Sequence, residues 1–279
     1  MTEKKRRSTG ANILVYVFAV LMFLIIFFPF YWIIVTSFKD LIGIYELPPR
    51  LIPKHFDLTN YYLSFQKYNV GKYFFNSIKV ALITVVITTF IASLAAFSLT
   101  RLHFAGSKLI RKFLGTTQMF PVVVLLVPLF LFCNKLHIYN SLSSLILPYI
   151  ALQLPVSIIL QMSYYRDVPQ ALEEASTIDG CNTFQILWYV FFPLVTPGVV
   201  ATGVYTFIQV WQEFLIASSF IIDRNNFTLT VGLTTFKGDE MTDWGALMAT
   251  SVIIAIPALI LFNLAQDFFI NRIAGSVKE

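Results

Sequence analysis

Thr202, Tyr205, Thr206, Gln209, Gln212 and Glu213 lie in one apolar stretch at the three- and four-residue spacing of a helix face, beside Phe207 and Trp211. Polar groups inside a membrane span are costly enough to need a use. Amides, hydroxyls and a carboxylate gathered on one face offer the hydrogen bonds that a hydroxyl-rich solute requires, with the aromatic rings as stacking platforms. Upstream, Gln153, Ser157 and Gln161 repeat every four residues and make a second such stripe. A plainer use for both stripes is to join helices to one another. As a candidate solute pathway they select Gln153, Ser157, Tyr205, Gln209, Trp211, Gln212 and Glu213. Glu213 falls toward the outer end of its stretch, where a carboxylate reaches water, which suits it poorly to a buried proton relay.

Between these two stripes runs a charged island, Asp167 to Gly180, continuing to Pro193. Its local chemistry predicts a short helix, a break and a second short helix. Asp167 is placed to cap, Pro169 suits a first turn, Gly180 can stop the helix in a left-handed conformation, and Asn182 can cap the second helix. Pro193 marks the return to apolar sequence. Glu173, Glu174 and Asp179 leave the first helix acidic, and anionic headgroups repel such a surface. The island therefore reads as a docking element for a protein rather than a connector lying on lipid.

Nothing in the chain points to catalysis. It has no phosphate-cradling Gly-x-x-x-x-Gly-Lys-[Ser/Thr], no His-Glu-x-x-His and no nucleophile elbow. His55, His103 and His137 all fall in loops, and Cys133 and Cys181 lie in separate segments without metal-ligand spacing. The expectation is a protein that is not an enzyme, with no catalytic residues, no metal and no cofactor bound by this chain.

The elements that must position these groups are membrane spans. Of 279 residues 57% are hydrophobic and 13% charged, and the mean hydropathy is +0.73, which excludes an ordinary soluble globule. The net charge of +5 is concentrated in the N-terminal tail and one short loop, so nucleic acid is not the implied partner; the lipid bilayer is. Spans are expected at about 13–37, 78–99, 114–132, 142–162, 194–222 and 246–269, making an all-α, polytopic, six-helix domain over residues 13–269. Lys4, Lys5, Arg6 and Arg7 in the basic tail 1–12, and the Lys/Arg-rich loop 101–112, argue for both termini in the cytoplasm. Residues 39–73 and 223–243 then form external loops, and 270–279 a cytoplasmic tail. Prolines within spans, such as Pro121, Pro155 and Pro197, suit kinked helices in a bundle that moves.

Glu174-Ala175-Ser176, Gly180 and Val190-Phe191-Phe192-Pro193 resemble the EAA loop of ABC-importer permeases, with Ser176, Val190 and Phe192 as small or apolar exchanges from its pattern. Further likeness lies in Tyr45-Glu-Leu-Pro-Pro-Arg50, Phe75-Asn-Ser77, Trp211-Gln-Glu-Phe214 and the stretch from Gln266 to Lys278. Together these resemble carbohydrate permeases of the maltose-transporter, MalG-like type over nearly the whole chain.

That resemblance implies the MetI-like permease fold and a multi-pass protein of a bacterial or archaeal cytoplasmic membrane. It also implies a heterodimer with a second permease subunit, two ATPase subunits that bind ATP and Mg, and an external sugar-binding protein that delivers a carbohydrate. Residues 163–193 would be the coupling loop, with Glu173, Glu174, Ala175, Ser176, Asp179, Gly180 and Pro193 as its contacts. The tail 270–279 would reach the ATPase and the loop 223–243 the binding protein. The rival reading is a stand-alone ion- or proton-coupled transporter of a polar solute, which would need the buried relay that the sequence lacks.

Overall fold

The computed structural model describes residues 9–238 and 241–276, with side chains described over 15–238 and 241–264. The basic tail at Lys4 to Arg7 and the last three residues lie outside the described residues. Among those described, helices dominate and no strand forms; Lys237 and Thr242 make an isolated bridge.

Five helices are long and apolar enough to cross a membrane, and a bent pair makes up to six. The first is α1 (Thr9–Ser37). After it come the short α2 (Leu41–Tyr45) and α3 (Thr59–Gln66). The second span, α4 (Val70–Arg101), has 32 residues, about 48 Å at 1.5 Å per residue and so longer than a bilayer core. It takes in Phe75-Asn-Ser77, which was expected to precede the span.

The expected third span, 114–132, is not one helix. α5 (Ser107–Thr117) and α6 (Val122–Lys135) meet at 106°. Pro121 explains the break: it lacks an N–H and drives the residue before it out of helical conformation, and it adopts an extended ψ of 129°. The fourth span, α7 (Ser143–Asp167), runs five residues past the expected end and contains Pro148 and Pro155.

The island folds as α8 (Gln170–Ile178) and α9 (Thr183–Gln185), then a wide π turn, Ile186–Phe191, then α10 (Phe192–Trp211). The N-cap position of α8 is held by Pro169 rather than by Asp167. Pro169 disfavours helix at Val168, which is extended (ψ 126°), so α7 continues through Asp167 and Pro169 itself occupies the N-cap. Pro193 cannot donate a backbone hydrogen bond, and the π turn just before it takes up the mismatch, with Phe192 N bonded to Leu187 O.

The expected fifth span, 194–222, is also interrupted. α10 ends at Trp211, and α11 (Leu215–Phe220) begins after a three-residue break. The segment to the last span holds α12 (Leu229–Gly232) between short 3₁₀ turns. α13 (Trp244–Ser276) then runs without a break through residues 270–276, which were expected to form a separate tail.

The chain divides into two compact units. The first comprises residues 1–70 and 235–255. Here the Asn60 amide donates to Ser37 O and Lys39 O, at 3.0 and 2.7 Å. The Ser64 hydroxyl bonds Ala246 O and accepts from Thr250. Lys39 sits 4.2 Å above the Trp32 ring and donates to Arg50 O, which carries its buried charge.

The second unit comprises residues 71–234 and 256–279. Its core joins the C-terminal ends of α4 and α7 to α5, the π turn and the start of α10 through Ala96, Phe97, Leu114, Met162, Tyr165, Phe191 and Val195. Phe97, Tyr165 and Phe191 meet with ring centres 5.2 to 6.0 Å apart. The Ser93 and Tyr165 hydroxyls bond at 2.5 Å, and the Gln161 amide donates to Thr89 O, so small and polar residues link α4 to α7. Gly198 lies under the Tyr164 ring so closely that an added Cβ would stand 2.2 Å from Cγ, which fixes how near α10 comes to α7.

Candidate functional site

Two surfaces of the second unit collect the residues singled out from sequence. The first is α8. Its C-terminus closes as a Schellman motif: Cys181 N donates to Ser176 O, Gly180 N donates to Thr177 O, and Gly180 adopts φ +85°. Asn182 then caps α9 in a reciprocal box with Gln185. The glycine stop and the asparagine cap agree with the sequence expectation.

No residue of α8 is buried. Glu174, Ala175, Asp179 and Gly180 are exposed, while Glu173 and Ser176 are half-buried. Leu172 and Ile178 are also exposed, Ile178 by 86%. An isolated nine-residue helix is marginal in water, so α8 must be held from outside. Pro193, by contrast, is exposed and lies in the first turn of α10, beyond the π turn and outside α8.

The holding group is Arg101, which sequence reasoning counted only as a loop charge. At the end of α4 its guanidinium donates to the carbonyls of Tyr165 and Val168, stands 4.8 Å from the Phe191 ring centre, and reaches within 3.7 Å of Glu173 Oε2. Tyr165 lies in the last turn of α7 and Val168 is its C-cap, where helix-end carbonyls run out of intrahelical donors. One partly buried cation therefore fastens the end of α7, the π turn and the first turn of α8 to α4. The available signal was its position: a basic residue ending a span, where helix-end carbonyls collect.

The second surface is a cavity of about 400 Å³. Tyr149 and Gln153 of α7, Tyr205 and Gln209 of α10, and Gln212 and Glu213 of the break after α10 line it together with Gln118 and Phe120. Both helix interruptions of this unit, after α5 and after α10, thus open onto one space. Broken backbone at membrane depth is tolerated where it lines a cavity, and such breaks are where solute sites form.

Its polar lining is interlinked. The Tyr149 hydroxyl donates to Glu213 Oε2 at 2.5 Å, the Gln209 amide donates to the Tyr205 oxygen at 3.3 Å, and the Gln212 amide donates to Gln209 Oε1 at 2.9 Å. Glu213 also accepts from Ile216 N and Ala217 N, so the carboxylate caps α11 and takes over bonds that a continuous helix would have made.

Two of the seven candidate pathway residues are elsewhere. Trp211 is buried, stacked on Phe207 at 5.4 Å and edge-on to Phe74 at 5.6 Å. Ser157 is buried and shares a 3.2 Å bond with Thr206, tying α7 to α10. Helical periodicity gives a common face for these residues but not which neighbour that face meets.

Residues 88–275 match the family model described as binding-protein-dependent transport system inner membrane component. The chain is 38% identical, over 95% of its length, to the probable ABC transporter permease protein YurM of Bacillus subtilis, 88% of which is covered. It is 36% identical, over 98% of its length, to the trehalose/maltose transport system permease protein MalG of Thermococcus litoralis, 99% of which is covered. Among solved structures it superposes, with a TM-score of 0.83, on a chain of a bacterial ABC transporter involved in the import of the acidic polysaccharide alginate. Sequence identity there is 21%, with 94% of this chain and 99% of that chain covered, so the likeness is one of fold.

Proposed function

The chain belongs to the family of inner membrane components of binding-protein-dependent transport systems, and on that premise we propose that it is the permease subunit of an ATP-driven carbohydrate importer. It works beside a second permease subunit, on two ATPase subunits that bind ATP and Mg, and receives its sugar or oligosaccharide from an external binding protein. Both termini lie in the cytoplasm, and the chain does no covalent chemistry of its own. The membrane is the cytoplasmic membrane of a bacterium or archaeon.

The observation that carries this reading is α8, a capped helix with none of its residues buried, fixed at its first turn to the core of the bundle. The ATPase seats α8 through Glu173, Glu174, Ala175, Ser176, Asp179 and Gly180, with the exposed Leu172 and Ile178 as apolar contacts. Movement of α8 passes through Arg101 and the π turn to α4, α7 and α10 as a rigid lever. The cavity beside Gln153, Tyr205, Gln209, Gln212 and Glu213 then opens alternately to the two sides of the membrane.

Reconstitution of the whole complex in liposomes tests this. Glu174→Lys should leave insertion of the permease intact, release the ATPase on purification and abolish ATP-dependent sugar uptake. Normal uptake with normal substrate-stimulated ATP hydrolysis in that variant would remove the coupling role from α8.

A further inference from the structure

We propose that the cavity is cation-selective in its electrostatics: it accepts neutral or positively charged sugars and disfavours acidic ones, and Glu213 sets this preference. The inference rests on the pathway reading above and adds the substrate's charge class. Among the described residues that line the cavity Glu213 carries the one formal charge, and none is Lys, Arg or His. The other polar groups, Gln118, Gln153, Tyr205, Gln209 and Gln212, are neutral donors and acceptors suited to sugar hydroxyls.

The Glu213 carboxylate is fixed rather than free to swing away. Both oxygens are engaged, Oε1 by Ile216 N at 2.7 Å and Oε2 by the Tyr149 hydroxyl and Ala217 N. These are neutral donors, so they hold the charge without cancelling it. A fixed charge in a concave, low-dielectric wall focuses its field into the cavity, concentrating cations and excluding anions. A uronic acid or sulfonated sugar would meet this carboxylate with no cation in the described lining to offset it.

The test needs no knowledge of the natural sugar. In the intact reconstituted complex, Gln209→Cys is treated with methanethiosulfonate reagents bearing a trimethylammonium, a sulfonate or no charge. Mass spectrometry reads modification at residue 209 itself, and rates are normalised to a free thiol in solution. The cationic reagent should react faster than the anionic one by about tenfold or more. That ratio should fall toward one when Glu213→Gln is added, or when salt shortens the screening length.

A ratio near one, or one favouring the anion, overturns the charge preference, as does a ratio unmoved by both Glu213→Gln and salt. If Glu213→Gln fails to assemble, the salt titration alone decides. Resistance to all three reagents, the neutral one included, overturns the pathway reading instead, because the cavity is then closed to solutes.

Discussion

Replacing Arg101 with methionine isolates the clamp at the base of α8. The substitution keeps an unbranched apolar stem and removes the guanidinium, which holds the carbonyls of Tyr165 and Val168, faces Phe191, and stands 3.7 Å from Glu173. Hydrogen bonds from a charged donor are worth ~1.5–3 kcal/mol each, whereas an ion pair with one partner as accessible as Glu173 contributes ~0.2–1 kcal/mol. The carbonyl bonds therefore dominate. They share one nitrogen and are not additive, so the junction should lose about 2–4 kcal/mol. At ~1.4 kcal/mol per factor of ten, local opening becomes about 30-fold to several-hundred-fold more frequent.

Hydrogen–deuterium exchange on the purified full complex reads this directly in peptides spanning residues 163–180. Arg101→Met should accelerate their exchange by that factor, leave the far end of α7 unchanged, and lower uptake per ATP hydrolysed. Glu173→Gln removes only the ion pair and should change exchange by less than about fivefold. Unchanged protection in Arg101→Met, or equal effects from the two variants, would refute the carbonyl clamp.

Gly180→Ala should cost about 1–2 kcal/mol through backbone torsion alone, because nothing lies within 4 Å of an added Cβ, and uptake should be reduced but measurable. Gly180→Pro cannot adopt φ +85° and lacks the N–H bonded to Thr177 O, so it should abolish ATP-coupled uptake in the same assay. Gly198→Leu drives a side chain into the Tyr164 ring and should destabilise the bundle by about 1–3 kcal/mol or more, read as a lower temperature of irreversible inactivation. Trp211→Ala opens the packing against Phe207 and Phe74 at a cost of about 3–5 kcal/mol, so complex yield should fall while the relative uptake of different sugars stays constant. Gln209→Ala should do the reverse, shifting sugar preference with yield intact, since Gln209 lines the cavity.

Local chemistry was enough to place whatever depends on one residue and its near neighbours. Apolar run length marks the spans, since a bilayer demands about 20 residues of helix. Gly180 and Asn182 announce a stop and a cap because those roles derive from a missing Cβ and a short side-chain oxygen. The EAA-like pattern resembles that of ABC-importer permeases, and the family it suggests is the one the chain belongs to.

Tertiary structure decided the choices between equally good local options. Proline at 121, at 155 or at 197 reads alike in sequence, yet the first stands in a break at the N-cap of α6 and the others sit within a helix. A lost hydrogen bond becomes a kink or a break according to the neighbours that re-satisfy the backbone. The interruption after Trp211 depends on Glu213 turning back to the α11 amides, with Tyr149 of a different helix completing its partners. Arg101 looks like any loop cation until the ends of α4 and α7 come together around it. Helical periodicity puts Gln209 and Trp211 in one stretch; packing alone sends the amide to the cavity and the indole to the core.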